Sequence, residues 1–265
     1  VDSLKVPSKT FLLGEYAILT TGKALLLGHE PYFHATFSPG NTQPFAQESP
    51  AGRWLQQHPL RAAIHYADPH GGRGGFGGSG AELLAAMEAS VGAKDPWWIW
   101  EHSRSLGGSG ADLLLQSYAR NKLAPIFLAI DLQQKSLTPI PWALPGTFSI
   151  FHTGKKIPTH EHLAERPQAP ESLAAVVESG ILALQSGAAT AFGEALNQTH
   201  QLLAQAGLQA PHTSAALLSL PRQGVFGAKG CGALGSDVIL VYHQDASLES
   251  WARENSLALV MEFSV

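Results

Sequence analysis

Apolar and polar positions along the chain follow two periods. Some stretches alternate residue by residue as strands do, and others recur at the three-to-four spacing of a helix. Leu4 to Lys9 reads as a strand, and Thr10 to Leu19 as a turn and apolar segment around Gly14 and Glu15. Ala24 to Leu27 and Tyr32 to Phe37 are β-like, with Thr21-Gly22 as the turn before them. Ser38 to Gly52 is loop-like in its Pro, Gly, Asn and Gln. Arg53 to Ala67 predicts one helix with Trp54, Leu55, Ala62 and Ile64 on its apolar side. Ala81 to Ala89 and Ala111 to Ala119 are helical, whereas Trp97 to Trp100 reads as a short aromatic strand. After a strand at Pro125 to Leu132, the Pro-rich Thr138 to Pro145 marks a domain boundary, giving domains 1–143 and 144–265. A strand at Thr147 to Phe151 then precedes helices at Glu171 to Gln185, Ala188 to Ala206 and His212 to Leu220. A buried strand at Asp237 to Tyr242, a helix at Leu248 to Glu254 and a strand at Leu257 to Phe263 follow. Strands and helices mix without a steady βαβ rhythm, which favours α+β over a doubly wound sheet.

Between these elements lie three glycine-rich stretches. The densest is Gly71 to Gly80, seven glycines in ten residues, opening directly into the helical run from Ala81. Glycine lets the backbone approach a ligand closely, and a helix N-terminus offers unpaired N–H groups and positive dipole, a combination that suits phosphate. The string is nearly repeated: Gly77 to Leu84 is GGSGAELL and Gly107 to Leu114 is GGSGADLL. A flexible hinge gives no reason to keep a serine and a carboxylate at the same offsets twice. The third stretch is Gly224 to Ser236.

Composition narrows the class. Apolar residues make up 45% and charged ones 14% of 265 residues, so the chain buries a full core beneath a sparsely charged surface. The net charge of -4, with no basic block, argues against nucleic acid as partner. One cysteine, Cys231, excludes an internal disulfide and suits a reducing compartment. No apolar run approaches the ~20 residues of a membrane span, and the expectation is a cytoplasmic protein.

Three motifs then carry a resemblance. Pro7 to Leu19 reads P-S-K-T-F-L-L-G-E-Y-A-I-L, Gly75 to Ala81 reads G-F-G-G-S-G-A, and Gly227 to Asp237 reads G-A-K-G-C-G-A-L-G-S-D. In this order, and spanning nearly the whole chain, they resemble the motifs of the GHMP kinases: galactokinase, homoserine, mevalonate and phosphomevalonate kinase. The resemblance implies an N-terminal domain like domain 2 of ribosomal protein S5, a ferredoxin-like C-terminal domain and an active site between them. It implies ATP and Mg²⁺ as cofactors, with the nucleotide phosphates on Gly74, Gly75, Gly77, Gly78, Ser79 and Gly80. Ser79 would reach the phosphates or the metal, or act as a plain helix N-cap.

Asp112 matches the aspartate that orients or deprotonates the acceptor hydroxyl, and Lys9 the lysine within ion-pair reach of it. By dipole alone, Asp112 is also a favourable acid in a first helical turn. Tyr16, Ser109, Gly110, Thr153 and Lys229 match positions on the substrate side. Lys155 and Lys156 lie in a segment, Thr153 to Thr159, similar to one in mevalonate and phosphomevalonate kinases. Gly14-Glu15-Tyr16, the S-G-A-D string and the third motif lean towards phosphomevalonate kinase. Mevalonate kinase, diphosphomevalonate decarboxylase and a catalytically reduced ligand-binding relative are the alternatives, a serine hydrolase a distant one. The expected partner is an acidic small molecule, and a homodimer is allowed. Gly78 stands where the family has its first serine, and Leu234 interrupts the third glycine run. His160-Glu161-His162, the densest histidine cluster, lacks the spacing of a zinc helix.

Overall fold

The computed structural model describes residues 3–155 and 169–264. The chain divides into two compact units, Val1–Thr10 with Leu27–Ile126 and Phe11–Leu26 with Phe127–Val265. Strands β1 (Ser3–Leu13) and β2 (Lys23–Ser38) begin the chain, separated by the short helix α1 (Ala17–Thr20). They belong to a five-stranded sheet of order β1-β2-β4-β5, with β3 paired to β2.

Strand β2, most of which lies in the first unit, is one continuous strand where the pattern predicts two. The polar break at Gly28-His29-Glu30 is satisfied inside: the His29 ring is buried, bonded to Thr10 Oγ1 at 3.0 Å and to the Glu30 carbonyl at 2.6 Å. The helix expected over Arg53 to Ala67 is instead two elements. Helix α2 (Pro50–Gln57) starts on Ser49, whose Oγ accepts the Gly52 N–H at 3.0 Å, and stops at His58, extended in front of Pro59. The remainder forms β3 (Ala63–Ala67), antiparallel to β2 with Ser38 opposite Ala63. Helix α3 (Gly78–Val91) follows.

The aromatic run is a helix, α4 (Pro96–Ser103), and not a strand. Asp95 caps it by accepting the N–H groups of Trp97 and Trp98, each at 3.0 Å, with Pro96 in the first helical position. Trp98 stacks on His102 one turn later, 3.8 Å between ring centres. Helix α5 (Ala111–Ala119) completes this unit. It packs beside α3, and Arg120 pairs with Glu88 at 3.2 Å.

The second unit takes in α1 and nearly all of β4 (Ile126–Asp131). β5 (Ser136–Ile140) runs into the segment read as a linker; it is an edge strand antiparallel to β4, and an edge tolerates Pro139. Next come β6 (Thr147–His152), helices α6 (Leu173–Ser186), α7 (Ala189–Gln205) and α8 (Pro211–Leu218), β7 (Val225–Cys231), β8 (Val238–His243), α9 (Glu249–Glu254) and β9 (Ala258–Ser264). Their sheet is antiparallel throughout, in the order β7-β8-β6-β9. With helices after its first and third strands, this is the β-α-β-β-α-β plan of a ferredoxin-like domain.

Both faces of that sheet are covered. Phe148 and Tyr242 stack at 4.8 Å on one face with Phe192 of α7 against them. On the other, Phe151, Ile239 and Val241 pack on Ala216, Leu248 and Trp251. Burial on both sides is why β8 reads as an unbroken apolar run and not an alternation.

Candidate active site

The glycine loop is built from β3 onwards. Asp68 accepts the N–H groups of His70 at 2.8 Å and Gly72 at 2.7 Å, folding the chain back at the loop's start. The His70 ring stacks on Phe76 at 4.1 Å, and its Nε2 meets Ser8 Oγ at 2.6 Å. The next residue of the first motif, Lys9, donates its backbone N–H to the Phe76 carbonyl at 3.0 Å. Gly77 then takes a left-handed φ of 86° and serves as N-cap of α3.

Two peptide planes are thereby fixed. The Phe76 carbonyl is held by Lys9, and the Gly77 carbonyl accepts both Ala81 N–H at 3.0 Å and Gln116 Nε2 at 3.1 Å. In a planar trans peptide the N–H points opposite its carbonyl. The N–H groups of Gly77 and Gly78 therefore point away from these partners. The first N–H groups of α3 have no intrahelical acceptor, and glycine at the cap has no side chain to cover them. Such an end draws an anion. Ser79 is not the N-cap: it is exposed at the second position of α3, and Gly77 caps the helix in the left-handed geometry that glycine adopts readily.

The near-copy folds differently. At Gly107 to Ala111 the helix starts three residues later in the motif, with Gly110 as N-cap at φ 71°. The cause is Trp100, whose Nε1 donates to the Ser109 carbonyl at 2.9 Å and whose ring fills the space a Cβ on Gly110 would need. Ser109 Oγ accepts the Ala111 N–H at 3.3 Å. Asp112 is half-buried in the first turn of α5, one oxygen accepting the Leu113 N–H at 3.0 Å. One turn on, Gln116 lies on the same helix face and reaches both Pro7 and Gly77. Lys9 is buried at 8% exposure, and its stem passes Gly77 so closely that a Cβ there would lie 2.8 Å from Lys9 Cγ. Lys9, the loop and the Asp112 helix thus share one neighbourhood of the first unit. Gln116 was not singled out in the sequence; a lone amide within L-L-L-Q-S-Y-A is the signal that marks it.

In the second unit the first and third motifs meet. Lys229 is fully buried, with its ammonium paired to Glu15 and donating to the Phe11 carbonyl and Cys231 Sγ, at 3.3 and 3.4 Å. Burial alone pushes its pKa down, but Cys231 and Glu15 outweigh that and hold it above the ordinary lysine value. An ammonium so committed is an internal strut between the first and third motifs. Tyr16, at φ 62°, accepts the Leu234 N–H at 2.9 Å, and burial raises its pKa to about 12. Leu234, the residue that interrupts the third glycine run, itself sits at a left-handed φ of 51°. Thr153 donates to the Ser236 carbonyl at 2.5 Å, and Gln209 and Thr213 hold the same turn through the Gly235 carbonyl.

Lys155 is exposed, while Lys156, Thr159 and the His160-Glu161-His162 cluster lie outside the described residues. Among the described residues no three His, Cys, Asp or Glu side chains gather as a metal site, and no helix is long and apolar enough to cross a membrane.

The sequence matches no protein-family model and no curated protein. Solved structures do match it along their whole length. Streptococcus pneumoniae phosphomevalonate kinase in complex with phosphomevalonate and AMPPNP aligns at TM-score 0.78 and 16% identity, covering 100% of both chains. Methanococcus jannaschii mevalonate kinase aligns at TM-score 0.66 and 14% identity, covering 99% of this chain and 98% of that one. Lactococcus lactis galactokinase complexed with galactose aligns at TM-score 0.71 and 12% identity, over 100% and 95%. With two sheets in the connectivity described and full-length correspondence to these enzymes, the chain has the fold of the GHMP kinases.

Proposed function

We propose that this protein is an ATP-dependent small-molecule kinase of the mevalonate pathway, with (R)-5-phosphomevalonate as acceptor. The observation that carries the reading is the knot in the first unit, where Lys9, the Gly77 cap and the Asp112 helix are tied together by backbone and amide hydrogen bonds. These are the three segments a phosphoryl transfer needs: a phosphate cradle, a cation and an acid near the acceptor. The fold shared with a phosphomevalonate kinase supports the acceptor, as do Gly14-Glu15-Tyr16 and the S-G-A-D string.

The residues fit a nucleotide triphosphate. The N–H groups from Gly74 to Gly80 and the uncapped start of α3 would take its phosphates. Lys9 would balance the charge that develops on the transferring group. Asp112 would orient the acceptor; a phosphate acceptor is already ionised at neutral pH, so removing a proton is not its main task. Mg²⁺ would be held mainly by the nucleotide phosphates and water, with the exposed Ser79 hydroxyl as the protein oxygen that the loop offers. When bound, Mg²⁺ supplies charge neutralisation across the phosphates. Ser109, Gly110, Tyr16 and Thr153 remain acceptor-side candidates by their place in the motifs. A single buried cysteine, Cys231, is in keeping with the reducing compartment that this reading expects.

The test is ADP release by the purified protein with ATP and Mg²⁺, offered phosphomevalonate, mevalonate, homoserine or galactose in turn. Release with phosphomevalonate alone supports the proposal. Release with mevalonate alone assigns the protein to an alcohol acceptor and makes Asp112 a general base. No release with any acceptor refutes the kinase reading.

A further inference from the structure

Gln116 sits one turn beyond Asp112 on α5 and is fully buried. Its Nε2 donates to two main-chain oxygens distant in sequence, Pro7 and Gly77, both at 3.1 Å, so both amide hydrogens are used. Among the described residues its Oε1 has no hydrogen-bond partner, and it lies against Gly80, where an added Cβ would land on it. An added Cβ on Gly77 would lie 2.7 Å from Nε2. Glycine at 77 is thus required by the amide as well as by its left-handed φ, and glycine at 80 by the amide.

We infer that Gln116 is a positioning residue, the joint that sets the glycine loop against the Lys9 strand and the Asp112 helix; this rests on the kinase reading above. By holding the Gly77 carbonyl, Gln116 fixes the peptide plane whose other end is the Gly78 N–H, one of the donors offered to phosphate. By holding the Pro7 carbonyl two residues before Lys9, it ties that donor to the lysine strand. Because Gln116 shares a helix face with Asp112, any shift of the loop is passed to the acid. A hydrocarbon of the same size would fill the space and leave two buried carbonyls without this donor.

The test uses Gln116→Leu, Gln116→Glu and Gly80→Ala in the full chain. The readouts are AMPPNP affinity by calorimetry, kcat, KM for ATP and for the acceptor, and the melting temperature. The expected result for both Gln116 variants is an AMPPNP Kd raised about tenfold, the scale of losing the buried hydrogen bond that holds the Gly77 carbonyl. A lower kcat and an unchanged acceptor KM should accompany it. Gly80→Ala, which displaces only the amide oxygen, should weaken AMPPNP in the same direction. If Gln116→Leu melts earlier but binds AMPPNP and turns over as the wild type does, Gln116 is merely structural and the inference falls. Should Gln116→Leu fail to fold, Gly80→Ala decides by the same readouts. A wild-type protein that binds no AMPPNP overturns the kinase reading and this inference with it. An active wild type with unaffected variants overturns this inference alone.

Discussion

Replacing Lys229 by Met tests the tie between the first and third motifs. The substitution keeps the length of the side chain and removes the ammonium from a site with no exposure, leaving the Glu15 carboxylate, 7% exposed, without its cation. Removing one member of a buried pair costs about 3–5 kcal/mol, chiefly because the remaining charge stays buried. Two further donations, to the Phe11 carbonyl and Cys231, are lost as well, so the upper half of that range is expected. Adding Glu15→Gln removes the stranded charge and should recover at least half the loss. The assay is urea unfolding followed by fluorescence. The pH dependence has a definite sign: Lys229 is held above its unfolded pKa, so its contribution is complete below the ordinary lysine value and fades only as pH rises through the higher folded one. The difference between wild type and Lys229→Met should therefore be flat from about pH 7 to 9. The exposed pair Lys23–Glu178 is the control, and Lys23→Met should leave the midpoint unchanged within error. A Lys229→Met protein within about 1 kcal/mol of wild type, or a double variant no better than the single, would refute the reasoning.

Three further outcomes are expected. Asp112→Asn should keep fold and nucleotide affinity and lower turnover of phosphomevalonate by less than the ~100-fold that loss of a general base brings; a larger drop in steady-state kinetics would mean Asp112 removes a proton. His29 donates from Nδ1 to the Glu30 carbonyl, so its Nε2 accepts from Thr10, and burial holds its pKa down to about 4. The unfolded chain takes up that proton first, so stability falls as pH drops from about 6.5 towards 4, by up to roughly 3 kcal/mol from this group. Urea titrations at several pH values should show His29→Gln losing part of that slope, and an unchanged slope would exclude His29 as its source. Asp95→Ala should cost about 1 kcal/mol through loss of the α4 cap, read by the same titration, whereas Asp95→Asn should cost little.

Where local chemistry and packing agree, the sequence is readable. The helices of the second unit and strand β8 follow their apolar patterns, since both faces of that sheet are covered. The failures have local causes. Trp97 to Trp100 carries strand-forming residues, but Asp95-Pro96 in front of it is a helix start that outweighs propensity. Arg53 to Ala67 has helical spacing on both sides of Pro59, and the proline divides it. The glycine motif is legible as a helix opening, yet its copy starts in a different register because Trp100 claims a carbonyl. No string reveals that. The Lys229–Glu15 pair is equally hidden, because nothing local announces a partner 214 positions away.

Transfer of the γ-phosphoryl group from ATP to a phosphate acceptor is observed directly by ³¹P NMR. With the protein, ATP, Mg²⁺ and (R)-5-phosphomevalonate, the ATP γ resonance should be lost. ADP should grow together with a new pair of coupled diphosphate-ester signals, in equal amounts. ADP accompanied only by inorganic phosphate, or unchanged spectra from a folded protein, would contradict the proposed transfer.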